Sequence, residues 1–581
     1  MNASRTARAL AGAALALALV ACGGGGGSDA GVTPPPQGNT DEPLADNAPY
    51  SSAADGALSG ATEAAAVTHA SITLGGATIN YTARAGHLIA RDPASNQAEA
   101  SFFYVAYTVD GASAATRPVT FFYNGGPGSA TVWLHLGSYG PRRLATSVPR
   151  TTALRPFAMV ANAESLLDTS DLVFVNAVGT GLSTAIAPFS NRSVWSVDAD
   201  AAVMRDFIVR WLNVNGRMAS PKFLFGESYG GPRTAVLAPL LFAAGVRIDG
   251  MVLQSPALDY NSNCGVTGSP IIPCAGYLPS YGAVALSFAL VSPLPTSLDA
   301  FIAELRGFTD TSYAPALSEV LRGAAVPANL PPRLANYTGL PASRWHAQFN
   351  LDPDTFMRSL LPGQILGRYD GRIAAPLGSA LAVDGDPSST LIADSFTLAI
   401  ASELRDTLRY SATATYVLLS NAINSWNFSH AGRGLPDTVP DIATALAQNS
   451  ALRVLAISGV HDLATPFHQT ELDLARLAAG GRVAVRNFAG GHMSYLDDST
   501  RAQQKAELVA FYRATTTARS ATALAVKPGN AGVAVKAVMA VDSAGVPDGA
   551  PARPEPALQV PLRDPWVPPR SPRAPTAAAA P

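Results

Sequence analysis

Residues 226–230, Gly226-Glu227-Ser228-Tyr229-Gly230, put a hydroxyl at the corner of a G-x-S-x-G pattern. An apolar run, KFLF (222–225), enters the corner, and an apolar helical pattern leaves it after Gly231. That strand–turn–helix setting gives the pattern its chemical meaning. The turn is so sharp that the serine backbone is strained, and neighbours lacking Cβ leave room for it. Oγ is lifted clear of the sheet at the positive end of the following helix, whose first turn accepts Pro232. A serine at neutral pH is a weak nucleophile, so it needs a base, and the base needs an acid to orient it. Two later strands end in suitable groups. The run 452–458 leads into Gly459-Val460-His461-Asp462, and the run 482–488 into Ala489-Gly490-Gly491-His492. Serine, acid, histidine is the chain order such corners use. Ser228 is therefore the candidate nucleophile, Asp462 the orienter and His492 the general base. His461, beside Asp462 on one turn, and His468, near a helix start, are competitors, either of which could instead be structural. The glycines before His492 favour it, because they allow close packing at the site.

A third segment follows the apolar run PVTFFY (118–123): Asn124-Gly125-Gly126-Pro127-Gly128-Ser129. Backbone N–H groups on such a loop can point at a developing oxyanion. We expect the N–H groups of Gly126 and Tyr229 to form that hole. The loop has no Gly-Lys-Ser/Thr ending, which argues against a nucleotide loop.

These residues must be carried by a sheet. SFFYVAY (101–107), PVTFFY (118–123), DLVFVN (171–176), KFLF (222–225), MVLQ (251–254), 452–458 and 482–488 read as strands. Helical patterns lie between them. Ala199, Val203, Phe207 and Trp211 recur every four residues within 198–212, and further helices are predicted after Gly231, at 466–479 and at 499–515. Alternation of this kind implies an α/β protein whose mostly parallel central sheet is covered by helices on both faces. Between about 256 and 394, helical pieces mix with Pro-rich turns. This reads as a mainly helical insertion forming a lid over the strand ends, where α/β proteins place function.

Hydrophobic residues make up 48% of the 581 and charged residues only 14%, enough to build a large core. The net charge of −2 leaves no basic stripe, so nucleic acid is excluded as the natural partner. Residues 1–21 read as an export signal: Arg5 and Arg8 precede an apolar run too short to span a bilayer. It ends in Leu19-Val20-Ala21-Cys22, which resembles the lipobox of bacterial lipoproteins. Lipidation of Cys22 would anchor the protein to a membrane of the cell envelope, facing the periplasm or the surface. Residues 22–65 read as a flexible tether, 66–520 as the catalytic domain, and 521–581, rich in Ala and Pro, as a disordered tail. Cys264 and Cys274 lie in a Gly/Pro-rich stretch where an exported protein closes a local disulfide. The alternative, a metal pair, lacks nearby Cys or His to complete it.

The segments FFYNGGPGSATVWLHLGSYGPRR (121–143), DLVFVNAVGTGLS (171–183), FLFGESYGG (223–231), ISGVHDLATP (457–466) and FAGGHM (488–493) resemble the serine carboxypeptidase family, most closely its bacterial, envelope-directed branch. The resemblance implies an α/β-hydrolase fold and removal of the C-terminal residue from peptides through an acyl-enzyme, with no metal or cofactor. It assigns Ser228, Asp462 and His492 to the triad, Gly126 and Tyr229 to the oxyanion hole, and Asn124 and Glu227 to the substrate's terminal carboxylate. Glu227 is then expected to be protonated, since a partly buried carboxyl facing another has its pKa raised. Two departures stand out. The family's second carboxylate-binding glutamate lies in an E-x-G-P segment, where this chain has Ser138-Tyr139-Gly140-Pro141. Arg142 or Arg143, which follow, could hold a carboxylate instead, or both could be surface residues. Asn176-Ala177 replaces the family's Asp-Pro. An esterase or acyltransferase using the same triad is the alternative activity.

Overall fold

The computed structural model describes residues 40–525. The export signal, Cys22 and nearly all of the Ala/Pro-rich tail lie outside those residues. From Asp41 the described chain forms one compact unit. Its frame is a single sheet of nine principal strands: β1 (Ala65–Leu74), β2 (Ala77–Arg91), β3 (Ala98–Val109), β4 (Val119–Tyr123), β5 (Asp171–Val175), β6 (Lys222–Glu227), β7 (Gly250–Gln254), β8 (Arg453–Gly459) and β9 (Val483–Phe488). The spatial order is β9-β8-β7-β6-β4-β5-β3-β2-β1, with a two-residue strand, Thr184–Ala185, added beside β3. β5, β4, β6, β7, β8 and β9 run parallel, whereas β1, β2 and β3 join antiparallel. This is the α/β-hydrolase sheet.

Why the central strands are apolar throughout follows from their two-sided burial. Side chains alternate between faces: Phe121 and Tyr123 of β4 enter one core, and Phe122 enters the other. The first core is closed by the helices Val197–Val214, Gly230–Ala243 and Val439–Gln448 through Phe207, Trp211, Leu237 and Ile442. On the opposite face, Phe174, Phe122 and Phe225 sit at paired positions on β5, β4 and β6. Their ring centroids are 4.7 and 4.9 Å apart. Burying each such ring contributes roughly 1.5–3 kcal/mol, and the row fixes the register that brings the C-terminal ends of β4 and β6 level.

Three boundaries differ from the sequence expectation. The described part of the 22–65 tether is packed. Leu44–Asp46 pairs in parallel with Tyr410–Ala412, and Leu58 is buried between hydrogen bonds to Ala185 and Ala187. Hydrogen bonding holds this strap more than apolar periodicity does: Asp46 accepts from the hydroxyls of Tyr50 (2.8 Å) and Tyr410 (2.9 Å). The last helix, Arg501–Ala525, runs into the segment expected to be disordered from 521. The insertion between β7 and β8 spans 255–452 rather than 256–394, and it is not all lid. Residues 264–366 build their own helical core around Leu305, Trp345 and Phe356. The helix Pro387–Ser402 instead buries Leu391, Ile392 and Phe396 against one face of the sheet.

Candidate active site

β6 ends at Glu227, and the helix Gly230–Ala243 begins three residues later. Ser228 turns that corner with φ +60°, a left-handed conformation a non-glycine residue adopts only under local strain. Gly226 makes the corner feasible: a Cβ there would lie 2.1 Å from the Gly230 carbonyl oxygen and 2.4 Å from Thr234 Oγ1. The Ser228 N–H donates to the Gln254 carbonyl at 2.9 Å, tying the corner to the end of β7.

The same end of β7 holds the histidine loop. Ser255 Oγ donates to the His492 carbonyl at 2.7 Å, and Gln254 Nε2 donates to it at 3.3 Å. Ser228 and His492 are thus hung from two adjacent residues. His492 Nδ1 lies 2.8 Å from Asp462 Oδ2, with both side chains fully buried. Asp462 Oδ1 accepts the N–H groups of Ala464 (2.7 Å) and Thr465 (3.0 Å). The Thr465 hydroxyl lies within 3.0 Å of Asp462 Oδ2, the Ser255 carbonyl and His492 Nδ1. From the insertion, the Tyr369 carbonyl accepts the His492 N–H at 2.6 Å, and the Tyr369 ring stands edge-on to the imidazole. His492 Nε2 is left buried without a hydrogen-bond partner. Burial opposes protonation of His492, yet the Asp462 carboxylate, aided by Glu227, holds its pKa above the ordinary imidazole value. An imidazole held by Nδ1 with a free Nε2 can accept a proton from a hydroxyl and return it.

Neither competing histidine takes the place of His492 beside Asp462. Both ring nitrogens of His468 are bound, Nδ1 to Glu471 at 2.8 Å and Nε2 to Asp310 at 3.0 Å. His461 is buried, which pushes its pKa down to about 4 and keeps it neutral.

The 124–129 loop lies flush against the corner. A Cβ on Gly125 would sit 2.4 Å from Tyr229 N, so only glycine lets the two backbones approach this closely. Arg233, fully buried, fixes this arrangement: Nη1 donates to the Asn124 carbonyl at 2.5 Å and Nε to Asp200 at 2.6 Å. Its guanidinium also stacks over the Tyr229 ring, 5.2 Å from the centroid. Arg233→Met leaves Asp200 buried and unpaired, a loss of about 3–5 kcal/mol. Urea unfolding should show that loss, and the double variant R233M/D200L should recover most of it. A single-variant loss below about 1 kcal/mol would refute the pairing as the anchor.

Beside Ser228, Glu227 is 1% exposed. Its Oε1 accepts from Asn124 Nδ2 at 2.8 Å, and its Oε2 has no partner. Burial, with the Asp462 charge adding to it, pushes the Glu227 carboxyl up to about 7, against opposition from His492, Tyr495 and Asn124. Arg142 is not at this site, a correction to the sequence reading. It donates to Thr407 Oγ1 at 3.0 Å and lies 3.6 Å from Glu403, a buried carboxylate that needs a cation. Arg143 pairs with Asp498 at 3.1 Å. Ser138 is turned away too, its Oγ donating to the Leu134 carbonyl at 2.5 Å. Asn176 acts as a brace: its Oδ1 accepts from the Thr131 N–H at 2.8 Å and the Tyr416 hydroxyl at 3.0 Å. Cys264 and Cys274 are joined by a disulfide at the start of the insertion.

The sequence reading missed Thr465, Arg233 and Tyr495. A charged residue inside the apolar stretch GPRTAVLAPL (231–240) was the available signal for Arg233. Tyr495 had none, because its partners are distant in the chain.

Residues 76–262 match the family model described as serine carboxypeptidase. The matched stretch includes Asn124, Glu227 and Ser228 and stops before Asp462 and His492. No curated protein matches the chain. Among solved structures, it is similar to Kex1(Δp), a prohormone-processing carboxypeptidase from Saccharomyces cerevisiae: 14% identity, TM-score 0.43, covering 74% of this chain and 91% of that one. It is also similar to a proline iminopeptidase from Mycobacterium smegmatis, with 14% identity, TM-score 0.32, and coverage of 74% and 99%. A thermophilic esterase from Thermogutta terrifontis matches with 14% identity, TM-score 0.31, and the same coverage. The class is a hydrolase of α/β-hydrolase fold. Within it, the stretch 76–262 is similar to the serine carboxypeptidase family.

Proposed function

We propose that the protein removes C-terminal residues from peptides through an acyl-enzyme formed on Ser228. Ser228 Oγ attacks the carbonyl preceding the last residue while His492 Nε2 takes its proton. Asp462 fixes the imidazole and stabilises its charged form. The oxyanion is received by the N–H groups of Gly126 and Tyr229. His492 protonates the leaving amine, and water then repeats the sequence on the acyl-enzyme. The observation that carries this reading is Glu227, a buried carboxyl adjacent to the nucleophile with one oxygen unpaired. Protonated, it can donate to a substrate's terminal carboxylate, and Asn124 Nδ2 stands beside it. We further propose that the chain works at the cell envelope, anchored by lipid on Cys22, a reading supported by the sequence of residues 1–22.

The test compares an N-blocked dipeptide with the same dipeptide amidated at its C-terminus, with Ser228→Ala as blank. The free acid should be cleaved and the amide should be poor. Glu227 must be protonated to meet an anion, and its pKa is about 7. The preference for the free acid should therefore be full below pH 7 and fall roughly tenfold per pH unit above it. The amide lacks that dependence and should follow only the deprotonation of His492, rising with pH. Equal reaction of both peptides, or hydrolysis of simple esters alone, would favour an esterase or acyltransferase. One observation supports that second reading: neither Ser138 nor Arg142 adds a charged group beside Glu227.

A further inference from the structure

Glu227 Oε2, His492 Nε2 and the Tyr495 hydroxyl are among the buried polar atoms near Ser228 that lack hydrogen-bond partners. The first two have roles in the proposed reaction. Tyr495 does not, and a buried, unsatisfied phenol is unfavourable unless something is to be bound there. Its ring is fully buried, and its hydroxyl lies near the Glu227 carboxyl and the Asn124 amide without completing a hydrogen bond to either.

The ring is held with care. Tyr495 lies on the single turn Ser494–Leu496 that follows His492. Its carbonyl accepts from Arg501 Nη1, which also donates to the Gly137 carbonyl at 2.9 Å, while Nη2 donates to the Ser138 carbonyl at 3.0 Å. One buried guanidinium thus locks the Tyr495 turn to the 137–138 backbone. A Cβ on Gly137 would lie 3.1 Å from Tyr495 Cε2, so the ring passes close to that backbone. The Ser138 side chain is turned back onto Leu134 and offers nothing to Glu227.

We propose that the Tyr495 hydroxyl is a specificity-determining donor that shares the substrate's terminal carboxylate with Glu227 and Asn124. This rests on the carboxypeptidase reading above. A phenol suits the task because it is a neutral donor: burial and the nearby Glu227 keep it protonated throughout the working range. It also divides the binding of the anion between one group that titrates near neutrality and one that does not.

Tyr495→Phe in the full chain removes one hydroxyl and keeps the ring. With the free-acid dipeptide, kcat/KM is expected to fall roughly 10- to 100-fold, mainly through KM, as for loss of a hydrogen bond to a charged group. With the amide and with a simple ester, kcat/KM should stay within about twofold of wild type. Inhibition by the N-blocked amino-acid product, which carries a carboxylate, should weaken in parallel. Equal losses on all substrates would mean that Tyr495 only supports the fold, and an unchanged KM for the free acid would equally overturn the proposal. The two readings separate cleanly. If wild type discriminates acid from amide and Y495F does so undiminished, Tyr495 alone is wrong. If wild type does not discriminate, the carboxypeptidase reading falls and takes this proposal with it.

Discussion

Ser228→Ala is expected to lower kcat about a million-fold while leaving the thermal transition nearly unchanged. The magnitude follows from the way nucleophile and base act as one unit: removing either costs about as much as removing both. S228A, H492A and the double variant should therefore fall to a common residual rate, set by the oxyanion hole and substrate binding. The unchanged stability follows from the geometry. The corner's strain lies in the backbone, at φ +60°, and alanine carries a Cβ as serine does. The hydrogen bonds that hold the corner come from main-chain groups, such as the Ser228 N–H to the Gln254 carbonyl. Single-turnover assays and calorimetry on the same preparations would check both halves. Residual activity within about a hundredfold of wild type would mean that another group attacks.

Asp462→Asn should cost about 10⁴-fold in kcat at neutral pH. The Asp462 carboxylate receives two main-chain N–H groups on Oδ1 and holds His492 Nδ1 on Oδ2. An amide of the same shape keeps the packing but offers N–H where the imidazole needs an acceptor. The imidazole then places its proton on Nε2 and cannot take one from Ser228. The pH profile supplies the sign. His492 lies above its ordinary value because the Asp462 charge outweighs burial, so losing that charge lowers its pKa. Activity appears as His492 deprotonates, so the acid limb of the residual D462N activity should move to lower pH. A limb that stays in place, or moves up, would show that Asp462 does not set the imidazole's charge.

Local chemistry was legible in the chain wherever it was written consecutively. The strand, corner and helix around Ser228 are consecutive, and so are the glycines that let Gly125 meet Tyr229. Asp462 and His492 could be placed because each follows a strand of a sheet whose alternation is visible. What escaped depends on pairs remote in sequence. Arg142 looked free until the fold brought Glu403 to it, 261 residues on. Ser138 reads as a gap in the carboxylate site, and only the folded chain shows Tyr495 passing close to the backbone at Gly137. The strap at 41–58 looked like linker because Asp46, Tyr50 and Tyr410 secure it by hydrogen bonds rather than by an apolar period. The helix Pro387–Ser402 resembled the lid helices in composition, and only the location of Phe396, packed 4.7 Å from the Trp133 ring, assigns it to the main layer.

The long insertion between β7 and β8 separates the parts of the site in time as well as in sequence. The corner and the 124–129 loop belong to strands made early, whereas β8 and β9, which carry Asp462 and His492, come after residue 452. β9 is an outermost strand, and β8 reaches the sheet only by pairing with β7. Since domains build up during synthesis from the N-terminal side, a nascent chain holds a serine on a finished corner with nothing to deprotonate it. On the proposed mechanism, Ser228 has no base until the last quarter of the chain docks.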